Sequence, residues 1–430
     1  MDDIPSAFVD ENTPLIHRDQ TEERQETLKD LKGHIKPLLS AFYMIVVAGL
    51  NDGTLGSIIP RVKQYYDIPN ETVSLLFLCS SIGFFTSTLM NGFIVHRIGQ
   101  LNTIYMGSCL QLSSYLILMM GFPFPVMAAA MVCTGLGTGI TDAAMNVFVA
   151  SLPMATLMLN ILHAVYGVGA MISPLVATFL LEHNLSWKGM YIFLTIASAI
   201  NVVGVIIGFM GVQLEEEESA DQDVDSKQSR KELTKAAILH PMTIIGSLYI
   251  LIYVGDEVVM GGWGYTYLTE GRHGDPISMG RVISTYWAGL ASGRILLGYL
   301  AGKFGEKLMI TIFTAMIVGC LSIMIVSADI VVNSSALISI GLLLGPMFPT
   351  TISIASKVLP RSYHTTSLGF ISALGAGGAA FFPFITGIIS GKFGILSMPY
   401  ACAVMTIGMI ILWAMVPSDK PFFAYFHKKK

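Results

Sequence analysis

The chain has 430 residues, of which 53% are apolar and only 13% charged, about half the charged share of a soluble domain. Its 25 basic and 29 acidic residues leave a net charge of −4, too small and too mixed to recruit nucleic acid. Composition therefore excludes a soluble enzyme, a collagen-like chain and a disordered protein, and leaves a polytopic membrane protein.

In chain order, residues 1–36 form a polar tail. Its first ten residues lack a basic stretch followed by an apolar one, so no cleaved leader is expected. Within the tail, Glu11-Asn-Thr-Pro-Leu15-Ile16 fits an acidic dileucine pattern, the kind read by sorting adaptors for delivery to a vacuole or lysosome. Six apolar stretches of about 20 residues, the length that crosses a bilayer core, follow at 37–60, 72–95, 101–121, 124–151, 156–182 and 189–213. They define an N-terminal bundle, 37–213. Residues 214–240 are a polar central loop, with a run of four glutamates and then a basic patch. Six more spans, at 241–268, 278–302, 308–328, 330–356, 364–390 and 395–416, make a C-terminal bundle, 241–416, before a basic tail at 417–430. The expected fold is an all-α membrane protein of twelve transmembrane helices in two six-helix bundles.

Lysine and arginine set the orientation. The N-tail, the even-numbered loops and the C-tail carry 18 of them, and the other side carries six, which puts both termini in the cytosol. The sequons at Asn70, Asn184 and Asn333 fall in or beside the predicted outer loops, too close to the membrane for glycosylation to be expected. The five cysteines lie inside apolar spans without ligand spacing, so neither disulfides nor a metal site are indicated. No cofactor is expected, and no phosphate-binding loop of the GxxxxGK[ST] type occurs.

The two halves repeat with an offset near 206 residues. Gly92-Phe-Ile-Val-His96-Arg97-Ile-Gly99 after the second span recurs as Gly298-Tyr-Leu-Ala-Gly302-Lys303-Phe-Gly305 after the eighth. Gly167, Gly169 and Pro174 recur as Gly375, Gly377 and Pro383, and Asn51-Asp52 matches Asp256-Glu257. Two parallel six-helix halves imply a solute site between them at the bilayer midplane, opened alternately to each side.

An ionisable side chain at that depth costs about 2.5–3.5 kcal/mol and is a functional hypothesis by default. Asp52, Asp142, Asp256, Glu257 and Arg294 lie in predicted spans, with His163 a sixth candidate. Adjacent residues point about 100° apart on a helix, so at most one of Asp256 and Glu257 faces a central cavity, and Glu257 is favoured. Asp256 then needs a partner such as Arg294 or a hydroxyl. Arg294 sits towards the cytosolic end of its span, where it snorkels or pairs with an acid across the halves as a gate. Asn160 and His163 share a helix face at i, i+3, and Asn51 and Asn146 offer amides that suit solute hydroxyls. Of the aromatics Trp263, Tyr265, Tyr267, Tyr286 and Trp287, most read as a membrane-interface belt, with Trp263 the best candidate for stacking on a sugar. Each has a structural alternative: Asp52 capping a kink at Gly49–Gly53, His163 as a packing histidine, the acidic pair as a structural salt bridge.

These residues resemble the major facilitator superfamily, whose signature is the glycine-flanked basic loop after the second span. More narrowly, four segments resemble the fucose permease branch of proton-linked sugar symporters: Gly49 to Pro60, Gly135 to Asn146, Gly293-Arg294 and Met347-Phe-Pro349-Thr350. The resemblance implies alternating access, a sugar or sugar-like solute, and coupling of protonation to binding by the acids of the first and fourth spans, here Asp52 and Asp142, with Glu257 assisting. It makes Arg97 a gate residue. Two positions depart from the pattern: His96 stands where the superfamily loop usually has an aspartate, and Asp142 is shorter than the usual glutamate. The expected function is proton-coupled symport in a vacuolar or endosomal membrane, the plasma membrane being the alternative site. The rival functions are a proton-coupled antiporter of amphipathic compounds and a non-transporting sensor.

Overall fold

In the computed structural model, residues 31–212 and 224–417 are described. The sorting pattern at Glu11, Leu15 and Ile16 and the glutamate run lie outside them. Twelve helical columns, numbered in chain order, are α1 (Ile35–Tyr66), α2 (Leu75–Ile98), α3 (Gln100–Met120), α4 (Phe124–Ala150), α5 (Ala155–Glu182), α6 (Lys188–Gly208), α7 (Pro241–Thr266), α8 (Pro276–Phe304), α9 (Glu306–Val326), α10 (Ile330–Leu344, resuming as Met347–Val358), α11 (His364–Phe393) and α12 (Met398–Met415). Eleven are long and apolar enough to cross a membrane. The twelfth, α8, is as long as its neighbours but is diluted by Arg281, Arg294 and Lys303.

Helix ends follow local chemistry. Asp275 and Asp329 cap α8 and α10 by accepting from the amides of Ser278 at 2.8 Å and Val332 at 2.9 Å, and Pro276 and Pro241 occupy the first helical positions, where their missing N–H is not needed. The repeated loop motif ends α2 and α8 at Gly99 (φ 81°) and Gly305 (φ 110°), conformations that a side chain would strain.

Three boundaries differ from the sequence reading. α1 runs past Pro60 to Tyr66, because its last two turns are held by neighbours: Arg61 donates to the Ala177 carbonyl and the Tyr66 hydroxyl to that of Phe122. Such partners compensate the ladder bond that proline removes. α6 stops at Gly208. The central loop contains a helix, Val224–Leu239, whose later residue Ala237 packs through its carbonyl on Ser367 of α11.

Within each half, α1 packs on α5, α2 on α4, α7 on α11 and α8 on α10. The halves meet along α5/α8, α2/α11 and α1/α7, the pairing expected of two repeats facing one another. Small residues let backbones approach: a Cβ on Gly378 would lie 1.8 Å from the Leu251 carbonyl oxygen, whereas one on Gly369 of the same helix would meet nothing within 4 Å. Gly378→Ala should therefore separate α7 from α11 and cost about 1–3 kcal/mol, while Gly369→Ala should be neutral or stabilise by up to about 1 kcal/mol. Thermal melting of the purified variants checks the contrast, and equal melting points would contradict it.

Candidate functional site

A cavity of about 220 Å³ opens between the halves, lined by Asn51, Asp52, Ser80, Ser81, Phe84, Thr138, Tyr166, Glu257 and Trp287 among others. Every element facing it is a mid-length segment of α1, α2, α4, α5, α7, α8 or α11.

Its polar centre is a relay on the N-terminal half. The Tyr166 hydroxyl donates to Asp52 Oδ2 at 2.6 Å, and the Asn51 amide donates to Asp52 Oδ1 at 3.0 Å. The Tyr115 hydroxyl in turn donates to Asn51 Oδ1 at 3.1 Å. Asn51 is thus oriented by α3 so that its NH₂ can reach the acid. Both Asp52 oxygens thus have a donor from the N-terminal half. The Asp142 carboxyl is close enough to Asp52 for the two to repel when both are charged. Asn146 does not add to the cavity, because its amide donates to the Asp142 carbonyl on its own helix at 2.9 Å.

The C-terminal half contributes Glu257. Arg294 Nη2 lies 3.6 Å from its Oε1, and the pair is 22% and 9% exposed. The arginine therefore pairs within its own half, between α7 and α8, and not across the halves as the sequence suggested; the register of α8 against α7 decides this. The Tyr286 hydroxyl donates to the Glu257 carbonyl at 2.9 Å. Asp256, one residue earlier, turns away from the cavity and is fully buried against α12, where Thr406 donates to its Oδ2 at 2.9 Å. An expected solute contact at Asp256 does not fit this placement.

Trp263 does not fit its expected role either. It is fully buried, donates to the Pro383 carbonyl at 2.9 Å and packs on Phe77. The cavity tryptophan is Trp287, 4% exposed, with an indole N–H that has no partner among the described residues. Gly261 makes room for it, since a Cβ there would lie 2.4 Å from the ring. His163 and Asn160 are exposed outside the cavity lining, with His163 in electrostatic range of Arg294. Arg97 is exposed at the end of α2. Among the described residues no cluster of three or more His, Cys, Asp or Glu could hold a metal.

Tyr115, Tyr166, Ser80, Ser81 and Thr138 were not picked out by the sequence, and Trp287 was grouped with aromatics read mostly as a membrane-interface belt. The one available signal was Tyr166 standing three residues after His163 on the same helix face.

The site is sealed on the face away from both described chain ends. Lys63 on α1 reaches Glu270 after α7 at 2.7 Å, and Arg281 on α8 reaches Glu182 on α5 at 2.8 Å. Below them Ser284 donates to the Met171 carbonyl across the same seam. On the face that carries the chain ends no ion pair crosses the seam among the described residues, so that side is the less tightly closed. Each of these ion pairs is partly solvated and worth about 0.2–1 kcal/mol. Changing Glu270 and Glu182 together to Gln should raise labelling of a cysteine placed at Ser81, from the sealed face, by about two- to thirtyfold. An impermeant maleimide on a background without the native cysteines checks this, and unchanged labelling would contradict it.

Comparison with known proteins agrees with this architecture. The family model described as "Major Facilitator Superfamily" matches residues 41–383. The chain is 27% identical over 416 residues to "Bypass of stop codon protein 6" of Saccharomyces cerevisiae, covering 88% of this chain and 82% of that one. It is 24% identical over 372 residues to a "Glucose/galactose transporter" of Brucella abortus, covering 80% and 86%. Among solved structures, a D-xylose-proton symporter superposes with a TM-score of 0.73 at 12% identity, covering 89% of this chain and 98% of that one.

Proposed function

The chain belongs to the Major Facilitator Superfamily and is a multi-pass membrane transporter, and on that premise we propose that it carries a small sugar by proton-coupled symport. The observation that carries this reading is the cavity itself: Asp52 and Glu257 stand beside amide, hydroxyl and indole donors in a space of about 220 Å³. Such a site offers a polyol several hydrogen-bond partners and an aromatic face. Drug-sized ligands occupy about 300–1,000 Å³, so the volume weighs against export of large amphipathic compounds. The printed names of the Brucella relative and of the xylose symporter support the same class of solute.

Asp52 and Asp142 are the proton-coupling acids in this proposal, and Glu257 assists. Closing the cavity removes water, and an unpaired charge there is costly. A carboxylate that takes up a proton together with solute lets the halves rock past one another. Neither alone satisfies the site. Asn51, Ser80, Ser81 and Trp287 bind the solute, while His163 and Asn160 meet it on the open path. Arg294 holds Glu257 in the empty state, and Arg97 acts at the gate.

The excess of basic residues at the chain ends and even-numbered loops supports cytosolic termini, so the less tightly closed side faces the cytosol. With Glu11, Leu15 and Ile16 read by sorting adaptors, the membrane is vacuolar or endosomal, and solute leaves an acidic lumen.

Proteoliposomes holding a pH-sensitive dye, challenged with a panel of monosaccharides, test the proposal. At least one sugar should move protons, and Asp52→Asn or Asp142→Asn should cut that flux to about a tenth or less, since an amide cannot take up and release the proton that the carboxyl carries. Flux that survives both substitutions, or proton movement with cationic amphiphiles and no sugar, would contradict it.

A further inference from the structure

Proton symport needs the acid of one half to be felt by the other half. The N-terminal relay ends at Asp52 and the C-terminal pair is Glu257 with Arg294, and no direct bond joins the two sets among the described residues. Tyr166 stands between them. Its hydroxyl donates to Asp52, it lines the same cavity as Glu257, and it lies in electrostatic range of both Glu257 and Arg294.

We propose, resting on the symport reading above, that Tyr166 is the positioning residue that passes the protonation state of Asp52 to the Glu257–Arg294 pair.

A phenol has one proton to donate and so serves one acceptor at a time. In this structure the acceptor is Asp52 Oδ2 at 2.6 Å, the short distance of an O–H donating to a charged oxygen. Once Asp52 is neutral it competes poorly, and the hydroxyl turns to the remaining carboxylate, Glu257. Glu257 takes a further donor readily, since Arg294 at 3.6 Å is beyond the ~2.7–2.9 Å of a charge-assisted hydrogen bond, although the buried Tyr253 hydroxyl of α7 stands beside the same pair and competes for it. Among the described residues the buried Arg294 Nε has no partner, so the guanidinium is incompletely held and can re-pair when Glu257 gains the tyrosine.

The backbone supports rotation of the hydroxyl over displacement of the ring. α1 and α5 touch at Gly49, where a Cβ would lie 2.1 Å from the Tyr166 carbonyl oxygen, so Tyr166 is fixed relative to Asp52 by its own half. On the other side Gly167 meets Ala291 of α8, which brings the C-terminal half against the same turn. The ionisable groups around Tyr166 are Asp52 from α1, Glu257 from α7 and Arg294 from α8. Next to these are Asp142 from α4, acting on Asp52, Tyr115 from α3, also near Asp52, and His163 one turn away on α5, near Arg294. Tyr191 of α6 acts on Tyr115. Within this ionisable set Tyr166 is the member that hydrogen-bonds the acid of one half while lining the cavity beside the acid of the other.

The full-length protein in proteoliposomes provides the test, with radiolabelled glucose, galactose, mannose and xylose as probes. Solute exchange at equal pH needs no net proton transfer, whereas solute-driven proton flux does. Tyr166→Phe should keep exchange within about twofold and lower proton flux about tenfold or more. Exchange and flux falling together would assign Tyr166 a structural role and overturn the proposal, as would a variant that behaves like wild type. Incorporation of 3,5-difluorotyrosine at 166 keeps the shape and the donor, so exchange and proton flux should both stay within about twofold of wild type; loss of proton flux with exchange intact would overturn the proposal even if the phenylalanine variant misfolds. Wild type that exchanges sugar without moving protons would overturn the symport reading, and this inference with it, whereas a coupled wild type with an unaffected Tyr166→Phe variant would overturn this inference alone.

Discussion

The structure depends on the cost of holding a carboxylate at mid-membrane depth. Each such group costs about 2.5–3.5 kcal/mol, and a hydrogen bond to a charged group returns about 1.5–3 kcal/mol. Asp52 has two donors, from Asn51 and Tyr166, which is enough to offset the cost. Glu257 has the nearby Arg294 guanidinium, and Asp256 has Thr406 on a helix away from the cavity. The three acids are therefore held in three different ways. Only the first two face the space between the halves, and these two are satisfied by partners that a solute or a proton can replace.

The seam between the halves is built to part. Its sealed face is closed by two partly solvated ion pairs and a few small-residue contacts, including Gly56 of α1 against the Gly261 and Gly262 backbone of α7. Contacts of this kind are individually weak, whereas within each half glycines allow backbone-to-backbone approach that a side chain would abolish, as at Gly378 and Gly135. Rigid halves with a weak seam are the mechanical requirement for rocking around a central site.

Much of this was legible in the sequence because hydropathy and the rarity of charge within spans report directly on the bilayer. Twelve columns, the two-fold repeat and the acids Asp52 and Glu257 could be read without coordinates, and family membership followed from the loop motif. What could not be read was azimuth and register. Adjacent Asp256 and Glu257 differ by about 100°, and nothing in a glycine-rich helix says where the cavity lies. For the same reason Trp263 looked more promising than Trp287, although the room for an indole was made by Gly261 on the neighbouring helix. Arg294 was expected to bridge the halves because pairing depends on how α8 slides against α7. Tyr166 was passed over because an aromatic residue in an apolar span is ordinary until its hydroxyl is found on a cavity acid. Pro60 misled by suggesting an end to α1, which tertiary partners carry on to Tyr66.

The central claim is that solute and proton occupy the Asp52 side of one cavity together. Calorimetry of sugar binding to the purified protein, in two buffers of different ionisation enthalpy at the same pH, measures it directly. The account predicts heats that differ between the buffers in proportion to proton uptake, and no such difference for Asp52→Asn. Equal heats in both buffers for the wild-type protein would show binding without protonation and would contradict it.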